Sequence, residues 1–346
     1  ITHLHTRMPF DVANFQEDEN KSYAREWLAA AGQQGEAHSD FIQPLTAPPI
    51  DSLPFEQLLR FWQHPVRAFF QQRLRVNFRA EEDDIPDDEP FTLEGLSRYQ
   101  LNQQLLNTLI EEQDVSAMFR RFRAAGELPY GAFGELVWET QRLEMQALAE
   151  RVMAERQQAQ SMEIDLQCGG VNLTGWLQQV QPDGLLRWRP SLLSVSQGMQ
   201  LWLEHLVYCA SGGTGESRLF VRKEGEWRFP ALAPAEAQAY LNALVDGYLL
   251  GMSQPLLLLP ESGGAWLKAC YDAEKDVILM DEETQQKARS KFLQTYEGNM
   301  VVSGEGADIW YQRLWRSLEP AHYEEIIAQT QRYLLPLYRY HQSTQI

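Results

Sequence analysis

The sequence predicts an α/β protein in which a short mixed sheet is flanked by helices and carries extensive helical additions. Three observations support this. Residues 161–167 alternate apolar and polar side chains up to the turn Cys168-Gly169-Gly170, which marks a β-hairpin continuing through Val171 to Val180. Asp183-Gly184 then turns the chain into a strand over Leu185 to Arg189, with a helix from about Leu193 to Cys209 and a strand from Ser217 to Lys223. Elsewhere apolar residues recur at helical spacing, as in Leu101, Leu105, Leu106, Leu109 and Ile110 along one face of Arg98 to Gln113.

The helical elements follow in order. Residues 1–50 mix polar residues with prolines and show little periodicity beyond a short helix from Tyr23 to Ala31, which predicts a connector. Residues 51–346 form the main domain, with a helical lead-in over 51–160, a sheet core over 161–225 and a helical C-terminal part over 226–346. The lead-in holds Leu53 to Trp62, a helix opened by Pro65, the Arg98 to Gln113 helix, Met118 to Ala125 and Phe133 to about Arg156. Gly and Pro signals divide the C-terminal part into helices near 234–250, 263–271, 283–297, 307–317 and 320–337.

Composition narrows the function. With 44% hydrophobic residues, 11% aromatics and ten Trp, the 346-residue chain has the makings of a substantial core. Its longest aliphatic run, Leu256 to Leu259, is far short of the roughly 20 residues that cross a bilayer. Three dispersed cysteines, Cys168, Cys209 and Cys270, argue against a disulfide framework or a zinc module and predict a reduced, cytoplasmic protein. The start at Ile1 has no signal-peptide character and suggests a piece of a longer chain. A formal charge of −18 opposes general attraction to nucleic acid, so any DNA contact must be local. The acidic runs at 81–84, 87–89 and 281–283 are expected in solvated loops.

The order of helix, hairpin, strand and helix over 131–209 resembles the PD-(D/E)xK nuclease core of the RecB-like family. In that family a His stands on the leading helix, an Asp ends G-x-I-D on the second hairpin strand, and D-Y-K follows on the third. The carboxylates hold Mg²⁺, and the Lys shares a strand face with its Asp and helps orient the attacking water. Here Gly131-Ala132-Phe133-Gly134-Glu135 puts Glu135 at the His position, and Gly175-Trp176-Leu177-Gln178 puts Gln178 at the first Asp. Arg187-Trp188-Arg189 puts Arg187 at the second Asp and Arg189 at the Lys. A cation about 5 Å from a divalent metal repels it by roughly 5–7 kcal/mol at an effective dielectric near 20, so these vestigial positions predict no metal, no bound cofactor and no catalysis. The pattern Leu58 to Phe70, with aromatics around His64-Pro65, matches the same family. Its Q-x-x-x-Y pair is broken here, since Gln200 is followed at that spacing by Glu204.

Longer blocks resemble the RecC family, the gamma chains of exodeoxyribonuclease V. They are Leu128 to Glu135, Gly184 to Ser191, Gln200 to Cys209, Leu259 to Leu267 and Gly306 to Trp315, and together they span nearly the whole chain. The resemblance implies a non-catalytic DNA-guiding and scaffolding domain of a helicase-nuclease that repairs double-strand breaks by homologous recombination. It implies RecB and RecD subunits and DNA at the unwinding fork as partners, with ATP and Mg²⁺ used by those subunits, and a helicase-like region upstream of the connector. Candidate DNA contacts are Arg73 and Arg75 on one helix and its exit, and Arg120, Arg121 and Arg123 beside Phe119 and Phe122. The same arginines also suit a helix that packs through its Phe residues while its long side chains reach water. The competing expectation is an active metal-dependent DNA nuclease with a migrated site built from Glu163, Asp165 and Asp183. His205 is expected to be structural, and no complete phosphate-binding loop for ATP is present.

Overall fold

A computed structural model describes Thr6, Met8 and residues 10–16, 22–28, 44–46, 48–78, 93, 95–300, 302–315 and 317–342. His3, His5, Arg79 and the acidic runs at 81–84 and 87–89 lie outside the described residues. The chain forms two units, residues 1–43 and 44–346. In the first, Asp11 caps a 3₁₀ turn at Val12–Phe15 by accepting from the Ala13 amide at 2.9 Å. A second 3₁₀ turn covers Arg25–Trp27, where a longer helix is predicted; Ala29 to Ala31 lie outside the described residues.

The second unit is built on a six-stranded mixed sheet. Its strands are β1 (Ser52–Pro54), β2 (Gln160–Cys168), β3 (Val171–Gln181), β4 (Gly184–Arg189), β5 (Glu216–Val221) and β6 (Glu226–Phe229). The predicted hairpin is β2 and β3, with Gly169 and Gly170 supplying the positive φ of its turn and Ile164, Leu173, Leu177 and Val180 buried. Thr174 pairs with Asp165 and with Pro54, and Val180 with Gln160 and with Leu185. β1 and β4 therefore follow one another along the edge of β3 opposite β2. β4 runs parallel to β5, a pairing that needs a crossover connection, supplied by the helix between them, and β5 pairs antiparallel with β6.

Among the described residues twelve α-helices accompany the sheet: α1 (Phe55–Gln63), α2 (Pro65–Ala68, continuing as a π turn over Phe69–Arg73), α3 (Gly95–Ile110), α4 (Ser116–Ala124), α5 (Ala132–Glu155) and α6 (Val195–Ala210). After the sheet come α7 (Pro234–Ser253), α8 (Pro260–Cys270), α9 (Glu282–Glu297), α10 (Ile309–Leu314), α11 (Pro320–Tyr333) and α12 (Leu335–Tyr340). Successive strand residues point to opposite faces, and this divides the core. Leu186 and Phe220 face the cluster formed by Leu101, Leu105 and Leu106 of α3 with Trp138, Met145 and Leu148 of α5. Arg187 turns the other way, onto Glu204 of α6. The sheet is thus covered on both faces.

Three departures from the sequence reading have physical causes. β1 falls in a stretch expected to be all helical, because a three-residue strand is too short to show alternation. The β5–β6 hairpin turns through Lys223 and Glu224, both at positive φ, so the four-residue strand β6 opens the part expected to be helical, although Gly225 and the alternation Glu226-Trp227-Arg228-Phe229 mark it. The helix expected over 320–337 breaks at Leu334, where Pro336 withholds a backbone N–H and opens α12. A small hairpin, β7 (Tyr271–Asp272) with β8 (Val277–Ile278), also lies between α8 and α9.

The C-terminal helices are tied to α6 by two carboxylates at helix N-termini, where unpaired N–H groups and the helix dipole favour anions. Glu261 accepts from the Val195 and Ser196 amides of α6, each at 3.0 Å. Glu305 accepts from the Glu261 and Ser262 amides of α8 at 3.1 and 2.7 Å. Desolvation pushes the Glu305 pKa up to about 7, against the pull of these donors. A raised folded-state pKa means the folded chain binds more protons than the unfolded one, so this group's contribution to stability should fall as pH rises from about 4.5 towards about 7. The burial-lowered His205 acts in the opposite sense over part of this window, so the test is the difference between wild type and Glu305→Gln in thermal denaturation: wild type should lose stability relative to the variant as pH rises through it, and parallel curves would contradict the assignment.

Gly184 opens β4 at φ +130°, and a Cβ there would lie 1.8 Å from the Glu216 carbonyl oxygen on β5. Only glycine permits both the backbone angle and this approach. Gly184→Ala should therefore cost about 3 kcal/mol or more in denaturant unfolding, whereas a loss below about 1 kcal/mol would show that the strands separate easily.

Candidate functional site: an arginine clamp on the sheet

The site grows from an irregularity in β3. Gln160 pairs with Val180 but Met162 pairs with Leu177, so Gln178 and Gln179 together oppose Ser161. This is a β-bulge, and Gln179 takes the left-handed conformation at φ +56°. The Gln178 side chain accepts from Ser161 Oγ at the strand edge. Its carbonyl and that of Gln179 instead meet Arg187.

Arg187 is bonded on every side. Its Nε donates to Glu204 Oε2 at 2.6 Å, Nη2 to the Gln178 carbonyl at 2.8 Å, and Nη1 to the carbonyls of Gln179 and Leu186 at 3.1 and 3.2 Å. Glu204 comes from the middle of α6, and its side chain is only 10% exposed, against 21% for Arg187. The pair borders a cavity of about 180 Å³ that Gln179, Arg189, Gln197, Gln200, Leu201 and Leu219 help to line. Two of the predicted vestigial positions, Arg187 and Arg189, thus meet at one cavity, and Gln178 joins them through its backbone. Glu135 borders a separate cavity of about 150 Å³ with Phe119, Arg123 and Tyr130, and lies 3.7 Å from Arg123 Nη1.

The sequence reading treated Glu204 only as the broken half of a glutamine–tyrosine pair. Its role in the structure is to answer Arg187. The available signal was the joint appearance of a cation at one expected metal-site position and an anion at a neighbouring one, but their pairing depends on a bulge that no sequence pattern announces.

The remaining candidates are placed as follows. His64 caps α2 by accepting from the Arg67 amide at 3.1 Å, approaches Asp308 at 3.3 Å and stacks on Tyr311 at 4.8 Å between centroids. His205 is buried, bonded to Ser217 Oγ at 2.7 Å, and burial lowers its pKa to about 4. Glu163 and Asp165 are exposed on β2, while Asp183 accepts from Gln157 at 2.6 Å. Among the described residues no three His, Cys, Asp or Glu side chains gather as metal ligands.

Of the arginines considered for DNA, Arg73 donates to the carbonyls of Met252 and Thr46 at 3.1 and 2.8 Å, which fastens the π turn to its neighbours. Arg75 is exposed in the left-handed conformation. Arg120, Arg121 and Arg123 are exposed on α4; Arg121 donates to Gln104 at 2.6 Å. Phe119 and Phe122 pack on Trp138, with ring centroids 5.3 and 6.5 Å away, and so face inward.

Removing one partner from a buried pair strands the other charge, at a cost of about 3–5 kcal/mol. Glu204→Ala should lose that much stability in chemical denaturation, and Arg187→Met with Glu204→Leu together should recover most of it. A loss under about 1 kcal/mol for Glu204→Ala would show that the pair is solvated and interchangeable.

Comparison with known proteins places the chain. The family model for the RecC C-terminal domain matches residues 50–271. The chain is 69% identical over 343 residues to the RecBCD enzyme subunit RecC of Escherichia coli (strain K12), covering 99% of this chain and 31% of that protein. RecC of Buchnera aphidicola subsp. Acyrthosiphon pisum is 31% identical over 83% of the chain and 27% of its own length. RecC of Mycolicibacterium smegmatis is 26% identical over 95% of the chain and 31% of its own length. The chain therefore spans about a third of the length of the relatives it matches. With the family model covering well over half of it, the chain belongs to the RecC family, in the region of the RecC C-terminal domain.

Proposed function

We propose that this chain is a catalytically silent, nuclease-like domain that scaffolds a RecBCD-type helicase-nuclease and guides DNA as its strands separate. The Arg187–Glu204 pair carries this reading. In a PD-(D/E)xK core the position of Arg187 belongs to a metal-binding carboxylate, and here a guanidinium and its counter-ion fill that place. A hard divalent cation seeks carboxylate and water oxygens, and a fixed cation at that point repels it. The order of leading helix, hairpin, strand and helix in α5, β2, β3, β4 and α6 supports descent from such a core.

The whole protein's work would be shared accordingly. RecB and RecD are the partners the RecBCD name implies, and ATP hydrolysis and Mg²⁺-dependent strand cleavage fall to them. This chain holds the assembly and contacts DNA locally, through exposed arginines such as Arg75, Arg120 and Arg121, against a net charge of −18 that disfavours general binding. A cytoplasmic location suits three buried free cysteines. No described helix is long and apolar enough to cross a membrane.

Calorimetric titration with Mg²⁺ and Mn²⁺, paired with cleavage assays on single- and double-stranded DNA, tests this reading. The expected result is neither stoichiometric metal binding nor cleavage. Metal-dependent cleavage that disappears with Glu163→Ala or Asp165→Ala would replace it with an active nuclease whose site has moved along β2.

A further inference from the structure

Two residues beyond Arg187, and on the same side of β4, Arg189 makes no ion pair and no side-chain hydrogen bond with any described residue. It is half-buried and borders the 180 Å³ cavity. The amides of Gln179 and Gln200, which also line it, are equally without side-chain partners. Gln197 spends its amide N–H on Ser191 Oγ at 2.6 Å, so it is not one of the free donors. Because Arg187 and Glu204 cancel, the charged side chains around this hollow sum to one positive charge in a chain of net charge −18. Unspent donors and an unanswered cation in a concave site call for an oxyanion.

The donor set selects the kind. A guanidinium presents parallel N–H groups that match two oxygens of a phosphate, and the two glutamine amides can serve its remaining oxygens. Arg187 stays on Glu204 and keeps the wall rigid. We infer that this cavity binds a backbone phosphate of single-stranded DNA directly, through Arg189 with Gln179 and Gln200 and with no metal between. A flexible single strand can dip one phosphate into a hollow, whereas a duplex keeps its phosphates on a stiff cylinder. The source of the phosphate rests on the DNA-guiding reading above; the anion site rests on the cavity itself.

The test uses the full-length chain assembled with its partner subunits and a fluorescein-labelled oligothymidylate, titrated at several salt concentrations. Arg189→Ala, which breaks no internal bond, should weaken binding about tenfold, as expected for one charge-assisted contact. It should also lower the slope of log affinity against log salt by about 0.7, one single-strand phosphate. Arg189→Lys should keep the slope and regain part of the affinity, and Gln200→Leu should weaken binding without changing the slope. Unchanged affinity and slope for Arg189→Ala, in a complex that binds the oligothymidylate normally, would overturn the cavity and leave the DNA-guiding reading standing. Photo-crosslinks from the same oligonucleotide that fall only on the partner subunits would overturn both.

Discussion

A guanidinium taken out of water needs its N–H groups answered, and the way Arg187 is answered organises the centre of this molecule. One carboxylate from α6, two carbonyls from the bulge of β3 and one from β4 converge on it within 2.6 to 3.2 Å. Three successive elements are therefore fixed to one another by a single side chain. The pair loses hydration, so it contributes less to net stability than its short distances suggest. Its larger effect is on arrangement: it holds the bulge, sets the height of α6 over the sheet and leaves a hollow beside it.

From α6 the constraint passes outward. The helix carries Glu204 at its centre and accepts Glu261 at its N-terminus, and Glu261 begins α8, whose own N-terminus is held by Glu305. Trp202, two residues before Glu204 and so on the other side of α6, stacks on Tyr340 of α12 and meets Phe229 of β6 edge-on. The C-terminal helices thus pack on the same helix that carries Glu204 to Arg187, and Gly264 lets α8 approach close to Val195 at the start of α6.

Much of this was legible in the residues. The hairpin announced itself through alternation and Cys168-Gly169-Gly170, and the long helices through apolar stripes such as Leu101, Leu105 and Leu106. The order of elements pointed to Gln178, Arg187 and Arg189 as positions to compare with a nuclease core, and the structure sets Arg187 and Arg189 beside one cavity. What stayed hidden depends on distance. A three-residue β1 has no period to detect, Glu305 caps a helix 43 residues earlier, and the left-handed Gln179 gives no compositional sign because glycine is absent. Glu135 was grouped with the other vestigial positions by motif alone, and the structure sets it beside Arg123 at another cavity.

The most direct test is diffraction from crystals of the chain grown with Mn²⁺, whose anomalous signal marks any metal at the sheet. The predicted result is Arg187 bound to Glu204 and the two bulge carbonyls, with no manganese peak at that place. A manganese ion on Glu204, with Arg187 swung aside into solvent, would contradict the central claim that an internal ion pair has taken over the metal's position.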